Sequence, residues 1–222
     1  METTHTYSEL RQQLVDAAAH LFHTNVLSHS GHANLSVRIG QERMLLTNTG
    51  IIRNLTTDQL AVVNFNGQVE EGTLEPTNAE IVSMHTVVYT ARPEVNAIIH
   101  THSPHVTAFA LANAPLPARY EALLRFGQAE TTPVVPWGPR GSDISVRGIA
   151  EALRQHPQTM AVLLGNHGLL AFGSSPVATS MLVSALEEAA EAELEATALG
   201  GAKDFPPGAL EDVRRSMKRA RS

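Results

Sequence analysis

The chain has 222 residues, with 16 Lys+Arg against 22 Asp+Glu for a net charge of −6, and 43% of it is hydrophobic. That length predicts one domain with a sizeable core, and the acidic balance sets it apart from nucleic-acid binders, which carry a basic surplus. Cys is absent, which excludes disulfide scaffolds, Cys-ligated zinc, iron–sulfur clusters and thiol nucleophiles together. No apolar run approaches the roughly 18 residues of a membrane span, and Met1-Glu2-Thr3-Thr4-His5 shows no basic stretch before an apolar one. The expectation is a soluble, cytoplasmic protein with neither membrane nor nucleic acid as partner.

In chain order, Thr6-Tyr7-Ser8-Glu9 reads as a capping box, followed by Leu10, Leu14, Ala18, Leu21 and Phe22 at helical spacing. Ser28-His29-Ser30-Gly31 breaks that helix, and Leu35–Ile39 and Met44–Leu46 read as short strands. Thr56-Thr57-Asp58-Gln59 is a second capping-box candidate ahead of the apolar strand Ala61–Val63. Asn66-Gly67 predicts a type I′ hairpin turn, in which both central residues take positive φ. Thr77-Asn78-Ala79-Glu80 predicts the cap of a helix reaching about Arg92, where Pro93 stops it. Val95 to His102 reads as a buried strand, and Ser103-Pro104 places a cap and an N1 proline ahead of another helix. A Pro-rich connection around Pro133, Pro136 and Pro139 leads into a helix from about Ser142 to Gln155. Met160–Leu164 and Leu169–Phe172 read as strands about the turn Gly165-Asn166-His167-Gly168. Ser175-Pro176 opens the longest helix, ending at Gly200-Gly201. Arg214, Arg215, Lys218, Arg219 and Arg221 read as a solvated terminal helix.

The histidines carry the chemistry. His100 and His102 stand two apart at a strand end, so both imidazoles can face one point. A His-x-His pair alone describes a metal-ligand pair or two polar residues bonded to backbone. His167 sits in a glycine-flanked turn, which is either an ordinary hairpin or a third ligand. Three imidazoles with one open position describe a catalytic zinc or a similar divalent metal. Glu80, read from its spacing alone, is a capping-box carboxylate. His85 is expected to point elsewhere, and His5, His20, His23, His29, His32, His105 and His156 have no spacing that yields chemistry.

These segments together resemble the class II aldolase/adducin family over roughly Leu10 to Leu199. The resemblance is carried by Ser30-Gly31-His32-Ala33-Asn34-Leu35-Ser36-Val37-Arg38, Thr47-Asn48-Thr49-Gly50, Pro76-Thr77-Asn78-Ala79-Glu80, Ile99-His100-Thr101-His102-Ser103 and Asn166-His167-Gly168. The segment before Glu80 has one residue more than the family's Pro-Ser-Ser-Glu, Ala33 replaces a Gly, and the last segment lacks the Tyr of some relatives.

The resemblance implies one α/β domain over residues 1–222, a central, mainly antiparallel β-sheet flanked by helices, with a core at about 7–200 and a helical tail at 201–222. It implies a divalent metal in each subunit, zinc with manganese or cobalt as alternatives, on His100, His102, His167 and Glu80. It makes Glu80 the catalytic acid/base in place of a mere cap, and Tyr120 a second catalytic residue or, equally, a buried or interface tyrosine. It places substrate phosphate on Asn34, Thr49, Gly50, Thr77 and Asn78, where backbone N–H groups at a helix start can hold an anion. The implied reaction is reversible aldol cleavage of a small phosphorylated ketose or hydroxy-keto compound through a metal-stabilised enediolate. A 4-epimerase, a decarboxylase or dehydratase, and a non-catalytic interaction module are the alternatives. A homotetramer with shared active sites is also implied, and the sole Trp, Trp137, in the Pro-rich stretch fits an interface or a loop tucked on its own core.

Overall fold

The computed structural model describes residues 4–79, 81–139 and 142–219. In chain order the elements are α1 (Thr4–His23), β1 (Ala33–Ile39), β2 (Arg43–Thr47), β3 (Leu60–Asn64), β4 (Val69–Glu71), α2 (Pro76–Ala79), α3 (Val82–Ala91), β5 (Ala97–Thr101), α4 (Pro104–Ala112), α5 (Glu121–Arg125), β6 (Val134–Val135), α6 (Asp143–Gln155), β7 (Ala161–Leu164), β8 (Gly168–Gly173), α7 (Pro176–Ala196) and α8 (Ala209–Arg219). The strands form one sheet in the order β4-β3-β2-β1-β5-β8-β7-β6. Neighbours run antiparallel except β6 and β7, which are parallel.

Strand side chains alternate between two cores, since successive residues point to opposite faces. Leu35, Val37, Ile99, Leu163 and Ala171 face α1, α4 and α7, among Leu14, Leu21, Val106, Phe109, Leu182 and Leu186. Met44, Ile98, Val162, Leu170 and Phe172 face α3 and α6, among Val88, Tyr89, Ile149 and Leu153. Both faces of the sheet are therefore covered, which is why β5, β7 and β8 read as continuous apolar runs. On β1 the second face is polar. Asn34 and Ser36 are buried there, and the Arg38 guanidinium donates to the Tyr89 and Val95 carbonyls at 2.6 and 3.0 Å. This polar strip leads toward the site.

Several local expectations are corrected. Helix α1 has begun by Thr4, so Thr6 lies within it and does not cap it. Thr56 N and Oγ1 donate to Gln59 Oε1 at 2.9 and 3.1 Å, but this capping geometry closes a turn that enters β3 directly, with no helix. Only Gly67 takes positive φ (88°) in the β3–β4 turn. Its N–H donates to Asn64 O at 2.9 Å, so the loop is a turn followed by a left-handed Gly, which Gly allows without steric cost. Pro76 presets the first helical φ, and α2 starts there. Thr77 is therefore inside α2, and the carbonyl of Glu75 accepts from Asn78 and Ala79 N–H at 2.8 and 3.0 Å. The expected single helix to Arg92 is divided into α2 and α3. Ser103 precedes α4 but gives it no side-chain cap, because its Oγ is engaged with Thr101 Oγ1 at 2.8 Å. Ser175 does cap α7, accepting from Ala178 N–H at 3.2 Å. No helix among the described residues is long and apolar enough to cross a membrane.

Candidate metal centre

Strand β5 lies in the middle of the sheet, between β1 and β8, and ends where three imidazoles meet. His100 pairs with Asn34 on one side and Leu170 on the other. His102 follows just past the strand, and His167 occupies the β7–β8 turn. Asn166 in that turn is left-handed (φ 55°), a conformation that Asn tolerates. Gly168 does not take positive φ; space is what requires it. A Cβ there would lie 2.5 Å from Thr101 O and 2.8 Å from His102 Cδ2. Gly168 thus lets the turn approach β5 closely enough for His167 to join the pair.

One ligand atom from each of His100, His102 and His167 lies within 4.8 Å of the others. The Nε2 atoms of His100 and His102 are 3.2 Å apart. A tetrahedron with zinc–nitrogen bonds of 2.0–2.1 Å has edges of about 3.3 Å, so this spacing fits two ligands of one ion. His100 Nδ1 donates to Leu169 O at 2.8 Å, which fixes the ring and turns the Nε2 lone pair toward the cluster, the usual support of a ligating His. Burial, and then the neighbouring His167 and His102, hold the His100 pKa well below the ordinary value. The ring is therefore neutral at physiological pH, as a ligand must be.

The imidazoles open on a cleft of about 380 Å³. Asn34 and Asn78 line it, with apolar walls from Ile81, just before α3, Met84 of α3 and Val146 of α6, and with Trp137 from the Pro-rich connection. Asn78 is buried and donates to Thr47 O at 2.8 Å. Beside the site, Glu187 of α7 accepts from the His105 and Val106 N–H groups at 2.8 and 3.0 Å. A buried carboxylate thereby caps α4 in place of Ser103 and anchors the segment that follows His102.

Of the residues singled out in the sequence, His100, His102, His167, Asn34 and Asn78 come together in the cleft. Thr49, Gly50, Thr77 and Tyr120 do not line it. Gly50 packs against His32, and a Cβ on it would fall 2.4 Å from His32 Nε2; Thr49 Oγ1 accepts from Ile51 N–H at 3.2 Å. Thr77 is exposed on α2. Tyr120 is 39% exposed and its hydroxyl donates to Glu188 at 3.2 Å, whose charge raises the phenol pKa. Glu80 lies outside the described residues. Two histidines without a sequence signal belong to the surroundings of the site. His32 lines the cleft with its ring 5.9 Å from that of His102 and parallel to it. His85, expected to point elsewhere, is fully buried with Nε2 2.7 Å from Asn34 Oδ1. Both positions depend on pairing between distant segments, which residue spacing does not encode.

Residues 12–194 match the family model described as class II aldolase and adducin N-terminal domain. The chain is 32% identical over 165 residues to an Escherichia coli L-fuculose phosphate aldolase, covering 74% of this chain and 73% of that one. It is 30% identical over 189 residues to a 3-oxo-tetronate 4-phosphate decarboxylase of Haemophilus influenzae, covering 82% and 85%. A solved L-fuculose 1-phosphate aldolase superposes with a TM-score of 0.82 at 26% identity, covering 95% of this chain and 97% of the other. The sheet order, the three converging imidazoles and these matches agree, and the chain belongs to the class II aldolase and adducin N-terminal domain family.

Proposed function

We propose that this protein is a divalent-metal-dependent aldolase that reversibly cleaves a small phosphorylated ketose to a ketone and an aldehyde. The observation that carries this reading is the convergence of His100, His102 and His167 at the end of a cleft. A divalent ion there, zinc by the chemistry of the donors, would act as a Lewis acid on the substrate carbonyl and stabilise charge on the adjacent carbon. The imidazoles hold it from stiff supports. Glu80 moves the proton at carbon and shares in metal binding before substrate enters. Asn34 and Asn78, which line the cleft, receive the phosphate through neutral donors; the expected share of Thr49, Gly50 and Thr77 would require their segments to move toward it. Tyr120, from a neighbouring subunit of a homotetramer since it does not line the cleft of its own chain, gives its proton to the aldehyde oxygen in the condensation direction, and in cleavage the substrate hydroxyl that becomes the aldehyde carbonyl returns that proton to it. The apolar walls exclude water from the reacting carbon.

The likeness to a decarboxylase at 30% identity, over a larger share of both chains, favours one further reading: loss of carbon dioxide from a 3-oxo acid phosphate at the same centre. Zinc-loaded protein assayed with L-fuculose 1-phosphate, other ketose 1-phosphates and 3-oxo-tetronate 4-phosphate separates the two by product, aldehyde against carbon dioxide. Changing any of His100, His102 or His167 to Ala should abolish turnover and lower bound metal in parallel. Full metal content in all three variants would overturn the proposed centre. Glu80→Gln, which keeps a hydrogen-bond acceptor, should retain the fold and remove most turnover; full activity would return Glu80 to a capping role.

A further inference from the structure

Behind Asn34 runs a chain of buried polar groups. His85 Nε2 is 2.7 Å from Asn34 Oδ1, its Nδ1 is 2.7 Å from Ser36 Oγ, and Ser36 Oγ is 2.8 Å from the Tyr89 hydroxyl. All four residues are buried. Enclosure lowers the His85 pKa to about 3 and raises that of Tyr89, so both rings stay neutral. A neutral imidazole has one donor and one acceptor nitrogen, which leaves the chain two polarities.

In the first, Tyr89 donates to Ser36, Ser36 donates to His85 Nδ1, and His85 Nε2–H donates to Asn34 Oδ1. The Asn34 amide nitrogen is then left for the cleft. In the second, His85 Nδ1–H donates to Ser36, Ser36 donates to Tyr89, and Asn34 turns its amide around to donate to His85. Tyr89 must then send its proton to the Asn96 carbonyl, 3.5 Å away, beyond the ordinary hydrogen-bond range; if it kept donating to Ser36, which can accept twice, the Ser36 proton would lose its acceptor within the chain. The first polarity satisfies the Tyr89, Ser36 and His85 donors within 2.8 Å and leaves only the Asn34 amide to the cleft.

We propose that His85 is a positioning residue: held as its Nε2–H tautomer by Ser36 and Tyr89, it locks the Asn34 carboxamide with Nδ2 facing the cleft, as a donor for an anionic oxygen of the substrate. The anionic substrate rests on the proposed function; the lock itself does not. It also excludes an alternative use of Asn34, because an amide fixed this way offers the cleft donors and no acceptor.

Nitrogen-15 correlation spectra of the imidazoles in the zinc-loaded full chain test the lock, with His85 assigned by its disappearance in His85→Asn. Protonated Nε2 with unprotonated Nδ1 is expected, and the reverse tautomer overturns the proposal. Binding of inorganic phosphate to the same zinc-loaded protein tests the consequence. His85→Leu should weaken phosphate on the order of tenfold with zinc content unchanged, and His85→Gln, which can still donate to Asn34, should recover part of the loss. Equal phosphate affinity in wild type and His85→Leu overturns the proposal. Should His85→Leu fail to fold, the wild-type tautomer decides. Wild-type protein with the expected tautomer but no phosphate binding would sustain the lock and defeat the phosphorylated-substrate reading instead.

Discussion

His85 is enclosed on every side, and burial lowers its pKa from 6.5 to about 3. The unfolded chain therefore binds a proton between those values that the folded chain refuses. The contribution of the neutral ring is complete above pH 6.5 and is lost as pH falls toward 3, at about 1.4 kcal/mol per pH unit for a single proton. His100 acts in the same direction. Urea midpoints of chelator-treated protein should thus fall steadily from pH 7 to pH 5, and His85→Asn should flatten the slope. An unchanged slope in that variant would mean that other groups govern acid stability. The His100 and His102 pair was legible from a strand ending in polar residues, because a period of two is local. The parts of His32 and His85 were not legible, since one is set by stacking across a loop and the other by a bond to a strand 51 residues away.

At the scale of elements, the strands with continuous apolar runs were readable, whereas β4 and β6, of three and two residues, are too short to show a period. The start of α2 departs from expectation because a Thr-x-x-Glu spacing looks like a cap wherever it falls, while Pro76 fixes the helix start two residues earlier than a Thr77 cap would. Thr101 and the β7–β8 turn meet at Gly168 with no room for a methyl group. Gly168→Ala should leave the sheet formed, as seen by circular dichroism, yet displace His102 or His167 and weaken metal binding by tenfold or more, on the order of the losses seen when ligand support is removed. Metal affinity equal to wild type would show that the turn can yield without moving either imidazole.

For the whole molecule, Ile51 next to Gly50 and Trp137 in the wall of the cleft are each 58% exposed, and Leu111 of α4 is 56% exposed. Exposed apolar side chains of this size, one of them in the wall of the cleft, fit coverage by another subunit. In the proposed tetramer, Tyr120 serves a neighbour's cleft, so dilution to monomer should cost turnover as well as stability. Light scattering paired with assays at the same concentration decides this. A fully active monomer would remove Tyr120 from the reaction.

The central position of β5 also sets an order of events in time. Its partners are β1, with Asn34 opposite His100, and β8, with Leu170 on the other side, and both are far away along the chain. Helices α1 and α7 come from opposite ends of the sequence and pack on the same face. Contacts between segments so far apart form slowly, because long loops must close before any contact compensates for the lost freedom. The three imidazoles become neighbours only after those closures, so a metal bound there would report the last stage of folding rather than guide the first. In refolding from urea with cobalt present, the visible absorbance of the bound ion should rise together with burial of the sheet or after it. Absorbance that appears earlier would mean that the ion assembles β5 with its turn before the rest of the sheet exists.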